Sequence, residues 1–263
     1  MSGLVTCAYC KNPTKRANGD GEHPIPEAIG SPIKNKEICQ KCNDDANTLI
    51  DTKYIEDKFI DFIRRFAAAK NKKKKRLTYS EAALFDGEVK AHYGEGGIYF
   101  ELTPDKMAEL QTIFGHDEIL PLKEVKFTDE EIIKKEHAKM LLGLTSKYLP
   151  DFIISKTADF LRNIIWGKQV VGEIPEHNLL IIREEISRDI QDEDLIKYID
   201  EYGYHFFGYF TNDEGQLEIY LEIFGCFYAY IKTIEKNWDK DINKKMVINP
   251  YFKKTIIDGP WTF

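Results

Sequence analysis

Four of the five cysteines occur in two pairs of the form CxxC. Cys7 and Cys10 make the first pair, and Cys39 and Cys42 make the second, after 28 intervening residues. Two thiolates at this spacing can bind one metal ion from a tight turn, and two such turns complete the tetrahedral site that zinc prefers. Two unrelated buried pairs would leave the core-poor first 45 residues with nothing to fold them. The spacing therefore predicts a structural zinc ion that stabilises the fold and has no open position for a substrate.

A second set of residues lies between the pairs and just after them. In chain order this set is Glu22, His23, Pro26, Gly30, Asn35 and Asn43. Interleaved with the cysteines, the ordered set resembles the HNH endonucleases, whose ββα-metal module is often held by two zinc knuckles. The resemblance covers about residues 4–66. A Glu-His pair or one CxxC would be weak alone, whereas the ordered set is specific.

The resemblance implies a module that hydrolyses phosphodiester bonds of DNA. Such a reaction needs a base to activate water and a cation to stabilise charge on the phosphate. His23 is suited to be the base, because the unperturbed pKa of histidine lies near neutrality. Glu22 and Asn43 would offer hard oxygen ligands to Mg²⁺ or Mn²⁺. By resemblance, Asn35 would hold the loop that positions His23.

Two choices among these residues stay open. The final position of the family pattern is often His, whereas this chain has Asn43, and Asn47 is a competing ligand. Asp51 could be an acid near the start of a helix rather than a ligand. The module could also be a zinc module without activity that binds nucleic acid or a partner protein, or a nuclease directed at RNA.

The charge is distributed unevenly along the chain. The net charge of residues 1–76 is +6, and that of residues 77–263 is −13. A basic N-terminal part joined to an acidic remainder of the chain suits binding of the basic part to a polyanion such as DNA. The residues predicted to contact phosphates are Arg64, Arg65, Lys72, Lys73, Lys74, Lys75 and Arg76. The alternative for residues 70–76 is a solvated linker.

The surrounding pattern predicts an α+β fold in two domains. Apolar residues at a spacing of three and four predict an amphipathic helix of about 20 residues from near residue 47, and it runs into the basic stretch. A boundary in that stretch gives a small zinc-stabilised ββα-metal module at 1–76 and a larger α+β domain at 77–263. In the second domain we expect strands within 77–103 and a helix after the capping box at residue 128. A helix within 145–166, a strand at 179–182 and a hairpin of 204–210 with 217–231 complete the prediction.

Composition excludes several other classes. With 43% hydrophobic residues the chain can build a core, and no apolar run reaches the roughly 20 residues of a membrane span. The N-terminus has no signal-peptide pattern, and five cysteines are few for a disulfide scaffold, so we expect a cytoplasmic protein without a membrane partner. Residues 77–263 carry no motif tied to chemistry. By resemblance they would control the nuclease, through a regulatory partner or a homo-oligomer, in bacterial restriction or anti-phage defence.

Overall fold

The structure is a computed structural model with helices and antiparallel sheets, which confirms the predicted α+β class. It describes residues 4–15, 21–57, 60, 78–79, 90–94, 97–101, 105, 130–167, 179–183, 204–224, 227–250 and 254–260. The chain forms two compact units, one of residues 1–55 with 129–263 and the other of residues 56–128. The domain boundary expected near residue 76 falls outside the described residues and stays a prediction.

The N-terminal segment is built from short elements. In order they are strand β1 (Leu4–Thr6), strand β2 (Pro13–Lys15), a 3-10 turn (Glu27–Ile29), helix α1 (Gln40–Ala46), a π-helical turn (Asn47–Asp51) and helix α2 (Thr52–Glu56). The helix predicted from near residue 47 thus begins earlier, at Gln40. Its N-terminus is set by Cys39, whose Sγ accepts a hydrogen bond from the Cys42 N–H at 3.4 Å. Beyond Asp57 the predicted helix lies outside the described residues, except for Ile60.

The second unit contains a small antiparallel sheet. Its strands are β3 (Thr78–Tyr79), β4 (Lys90–Gly94) and β5 (Gly97–Glu101), in that order across the sheet. β4 and β5 form a hairpin with Gly94 paired to Gly97. These strands confirm the strand pattern predicted within 77–103.

Two helices pack beside the N-terminal segment in the first unit. They are α3 (Glu130–Tyr148) and α4 (Lys156–Ile165), joined through a 3-10 turn at Pro150–Ile154. α3 confirms the helix predicted after residue 128. The helix predicted within 145–166 is divided, because the chain turns at Ser155, whose Oγ caps α4 by accepting from the Ala158 N–H at 3.0 Å. None of the helices in the described ranges has the length and apolarity to cross a membrane.

Six antiparallel strands form the main sheet. They are β6 (Leu179–Arg183), β7 (His205–Thr211), β8 (Leu217–Ile223), β9 (Phe227–Lys232), β10 (Asn243–Asn249) and β11 (Lys254–Gly259), and their order is β11-β10-β7-β8-β9-β6. Alternate residues of β8, from Leu217 to Ile223, are buried, as expected for a strand with one face on a core. α3 packs on this strand. The main core therefore lies between α3 and the sheet.

The strand predicted over 217–231 was wrong as one element. The structure has two strands there, and β8 ends at Ile223, just before Phe224, which has a left-handed φ of 58°. The hairpin of 204–210 with the start of β8 is confirmed, and so is the strand at 179–182. β10 and β11 were not predicted, because the mixed polar and apolar residues of 243–259 give no clear alternation.

Candidate metal centre and catalytic hairpin

The four paired cysteines meet at one point. One ligand atom from each of Cys7, Cys10, Cys39 and Cys42 lies within 4.8 Å of all the others. Cys7 and Cys42 are buried, and the other two are half-buried. Four sulfur donors at this separation fit a tetrahedral zinc ion, and the predicted donor set for zinc is therefore brought together.

Local hydrogen bonds shape the two knuckles. The Lys11 N–H donates to the Cys7 carbonyl at 2.8 Å, which closes the first turn. The Cys39 N–H donates to Cys7 Sγ at 3.3 Å, which joins the second knuckle to the first. A hydrogen bond with the Cys42 thiol lowers the pKa of Cys7 to about 5. At least one sulfur thus favours the thiolate form that zinc requires.

Helix α4 braces the first knuckle from a distant part of the sequence. Arg162 Nε donates to the Ala8 carbonyl at 2.7 Å, and Trp166 Nε1 donates to the Tyr9 carbonyl at 2.9 Å. These carbonyls belong to the two residues between Cys7 and Cys10. Sequence reasoning missed this support, since an arginine and a tryptophan more than 150 residues away carry no signal of such a contact.

The predicted catalytic residues lie at the base of a loop that one backbone bridge closes, and this bridged segment is called the hairpin below. Glu22 and Asn35 exchange two backbone hydrogen bonds, of 3.0 and 2.7 Å, in an isolated antiparallel bridge. Both side chains are buried, whereas His23, the next residue, is half-buried. The structure therefore brings Glu22, His23 and Asn35 together at one point of the backbone.

Asn35 ties this hairpin to α3. Its Nδ2 donates to the Gly143 carbonyl at 2.9 Å and to Ser146 Oγ at 3.3 Å, and its Oδ1 accepts from the Glu37 N–H at 2.9 Å. A Cβ at Gly143 would lie 2.8 Å from Cβ of Pro24, so only glycine allows the helix to approach the hairpin this closely. The role of Asn35 in positioning His23 stays a prediction, and these contacts support it.

The Glu22 side chain belongs to a buried ionic cluster centred on Lys139 of α3. Lys139 Nζ lies 3.2 Å from Glu22 Oε1, 2.7 Å from Asp51 Oδ1 and 3.3 Å from Glu136 Oε1. Burial raises the pKa of Glu22 to about 7, and Lys139 offsets part of that rise. Burial opposes the charge on Lys139, but the three carboxylates outweigh it and hold the pKa of Lys139 well above its ordinary value. Sequence reasoning did not find this cluster, because Glu136 and Lys139 follow other charged residues of the helix and look like part of its solvated face.

Glu22 and Asn43 as ligands of a catalytic divalent ion stay a prediction. The Glu22 carboxylate is 2% exposed, and its Oε1 lies 3.2 Å from Lys139 Nζ. Asn43 is half-buried in the first turn of α1, and Asn47 is exposed at the start of the π-helical turn. The sequence left open whether Asp51 is a metal ligand, and in the structure its carboxylate is part of the Lys139 cluster. Within the described ranges, the four cysteines are the only group of three or more Cys, His, Asp or Glu with ligand atoms this close together.

The predicted phosphate contacts lie outside the described residues. These are Arg64, Arg65, Lys72, Lys73, Lys74, Lys75 and Arg76. Their role in binding nucleic acid stays a prediction.

Comparison with known proteins bears on the N-terminal segment alone. Residues 7–59 match the model of the HNH endonuclease family. No curated protein and no solved structure matches the chain. The family match spans both knuckles, the hairpin and the helices that follow, and it confirms the resemblance that the sequence predicted. About a fifth of the chain is therefore similar to a nuclease family.

Proposed function

We propose that the N-terminal module is an endonuclease that hydrolyses phosphodiester bonds of DNA. The observation that carries this proposal is the coincidence of the family match at residues 7–59 with the hairpin that holds His23. The gathered cysteines add support, since they give this short segment a rigid scaffold. No specific observation favours the alternative, a zinc module that binds nucleic acid or a partner protein without activity.

In the proposed reaction His23 is the general base. Its imidazole takes a proton from a water molecule as the water oxygen attacks phosphorus, and the bond from phosphorus to the 3′ oxygen breaks. The backbone bridge at Glu22 and the tie from Asn35 to α3 would keep His23 in one place relative to that phosphate. Holding reactants in the reacting geometry lowers the entropic part of the barrier.

The finer proposal includes a divalent ion, Mg²⁺ or Mn²⁺, with Glu22 and Asn43 as its ligands. Such an ion would supply positive charge for the leaving oxygen. Oε1 of Glu22 could serve only after its ion pair with Lys139 opens. This requirement distinguishes Glu22 from Asn43, whose neutral amide forms no ion pair.

A role in restriction or anti-phage defence, with control by the rest of the chain or by a partner, is also part of the proposal. It is supported by the resemblance alone. The match at residues 7–59 covers the nuclease module and leaves the controlling signal open to experiment.

Cleavage assays test the proposal directly. The zinc-loaded full-length chain is incubated with supercoiled plasmid in Mg²⁺ or Mn²⁺, in EDTA, and with an RNA of defined length. We expect nicked or linear plasmid that depends on the added ion, with bound zinc close to one per chain in every sample. Cleavage of RNA alone would replace the DNA proposal. Inactivity on both polymers would favour the binding module.

A further inference from the structure

An open cleft lies beside the hairpin, between residues 34–37 and the C-terminal end of α3. Its volume is about 340 Å³, and it is lined by Lys34, Asn35, Lys36, Glu37 and Lys147. Three of these five residues are lysines and one is an acid. The cleft therefore carries an excess of positive charge, and one of its lining residues, Asn35, pairs with the residue before His23.

The backbone bridge brings these lysines near the segment that contains His23. Lys34 and Lys36 flank Asn35, which pairs with Glu22, the residue before His23. Lys36 lies against Gly21, because a Cβ at Gly21 would be 3.1 Å from Cγ of Lys36. Glu22 and Asn35 are 2% exposed, whereas Lys36 is exposed. Lys34 and Lys36 thus lie beside the segment that carries His23.

The third lysine reaches the cleft from α3. Lys147 Nζ donates a hydrogen bond to the carbonyl of Lys34, so the ammonium is fixed at the edge of the hairpin. The Lys147 side chain is partly buried, so its ammonium is partly withdrawn from water. This burial lowers the pKa of Lys147. A partly desolvated charge gains more from an anion than a fully hydrated one does.

Among the residues that the structure describes, neither Lys36 nor Lys147 forms a salt bridge, although the charge of Asp258 acts on Lys147. No carboxylate lies within 4.0 Å of the ammonium of Lys36 or of Lys147 in those ranges, whereas Lys139, Lys41 and Lys244 all form ion pairs. Glu37 is the one acid among the residues that line the cleft. Its backbone N–H donates a hydrogen bond to Asn35 Oδ1. The cleft therefore has cationic groups available for an external anion.

We propose that this cleft binds phosphates of the DNA backbone, with Lys36 and Lys147 as the contacting residues. The inference rests on the proposed function and deepens it, because it names a surface of the module that would hold the substrate backbone. Lysine ammonium groups bind phosphate as point charges and read no base. Binding through this cleft would hold DNA with little sequence preference.

Salt dependence of binding tests the cleft separately from catalysis. A fluorescent DNA duplex is titrated with the full-length chain in EDTA, on a His23→Ala background, between about 50 and 200 mM salt. Each phosphate contact contributes about 0.9 to the slope of log K against log salt. We expect the double variant Lys36→Gln/Lys147→Gln to bind more weakly, with a slope reduced by about 2.

Matched variants separate this effect from net charge and from folding. Lys240→Gln/Lys254→Gln removes the same charge at two exposed lysines of other segments and should change the slope much less. Lys147→Arg keeps the charge and should retain the slope. Zinc content and the unfolding temperature of each variant report on folding.

The outcomes distinguish this inference from the proposed nuclease. An unchanged slope in the folded Lys36/Lys147 double variant overturns the cleft, even if the wild-type chain cuts plasmid. Absence of DNA binding by the wild-type chain overturns it as well. A reduced slope together with no cleavage in Mg²⁺ or Mn²⁺ supports the cleft and contradicts the nuclease.

Discussion

The same short module contains two sets of polar residues that the structure treats differently. The four cysteines converge within 4.8 Å, ready for a metal ion. The carboxylate of Glu22, by contrast, is drawn into the interior by Lys139, a residue 117 positions later in the chain. The geometry of paired ligands in a tight turn is fixed by the turn itself. The position and ion pairs of a single ligand, by contrast, depend on the elements that pack against it.

The two regions also differ in how charge is balanced. At the cysteines, zinc would neutralise thiolates that are partly exposed. Around Lys139, one ammonium faces three carboxylates with almost no water, and burial raises the pKa of Glu22 and of Glu136. Such a cluster stabilises the fold only while all its partners are present. Substitutions in each region test this difference in charge balance.

The largest effect is expected at the zinc centre. Cys39→Ser should lose bound zinc and unfold the N-terminal segment, since structural zinc contributes about 10–16 kcal/mol in small zinc modules. Zinc analysis and hydrogen exchange of residues 4–57 measure both losses. The fifth cysteine gives a matched control, because Cys226→Ser should keep zinc. A folded, protected N-terminal segment in zinc-free Cys39→Ser would show that the core alone holds the module.

A smaller but substantial effect is expected at Lys139. Lys139→Met leaves three buried carboxylates without a cation and should lower the free energy of unfolding by about 3–5 kcal/mol. Urea unfolding measures this loss, and Lys134→Met on the exposed side of α3 is the control. The double variant Lys139→Met/Glu22→Gln should recover part of the loss. Equal stability of the two single variants would mean that the cluster contributes nothing.

The sequence could predict the first region and not the second for a physical reason. The cysteine spacing is local, so Cys7, Cys10 and their partners identify a site without knowledge of the fold. Contacts of Glu22 depend on α3 crossing the hairpin, and nothing near Lys139 signals that approach. The sequence prediction missed two further features for the same reason. The helix start at Gln40 depends on the zinc knuckle, and the break after β8 depends on one left-handed residue, Phe224.

A third effect concerns His205, which joins the sheet to the loop that follows His23. His205 Nε2 donates to the Ile29 carbonyl at 2.8 Å, and Nδ1 accepts from the Phe224 N–H at 3.2 Å, so the neutral ring is fully bonded. Burial lowers its pKa from 6.5 to about 4. A lowered histidine pKa gives stability that is present above pH 6.5 and is lost as the pH falls toward 4. The loss should reach about 3 kcal/mol.

Comparison with His205→Gln isolates this contribution. His137, whose pKa burial also lowers to about 4, and the zinc thiolates titrate in both proteins. The free energy of unfolding is measured by urea at pH 7.5 and pH 4.5. We expect a smaller difference between the two values in the variant. Parallel pH curves would contradict a fully buried neutral His205.

The smallest loss of stability is expected at Asn35. Asn35→Ala removes the hydrogen bonds to Gly143 and Ser146 and should cost about 1–3 kcal/mol. Plasmid cleavage should fall as well, because the hairpin loses its tie to α3. Asn47→Ala, at an exposed position, is the control for stability. A stable Asn35→Ala protein with full cleavage would show that this tie does not position His23.

Chemical rescue of His23 is the most direct test of the central claim. Plasmid cleavage is compared for wild type and His23→Ala, with zinc quantified in both and imidazole added to the variant. General-base catalysis typically contributes about 10²–10⁴ in rate. The expected result is a loss of that size at equal zinc content, partly restored by imidazole. Cleavage by His23→Ala at the wild-type rate would contradict the proposed mechanism.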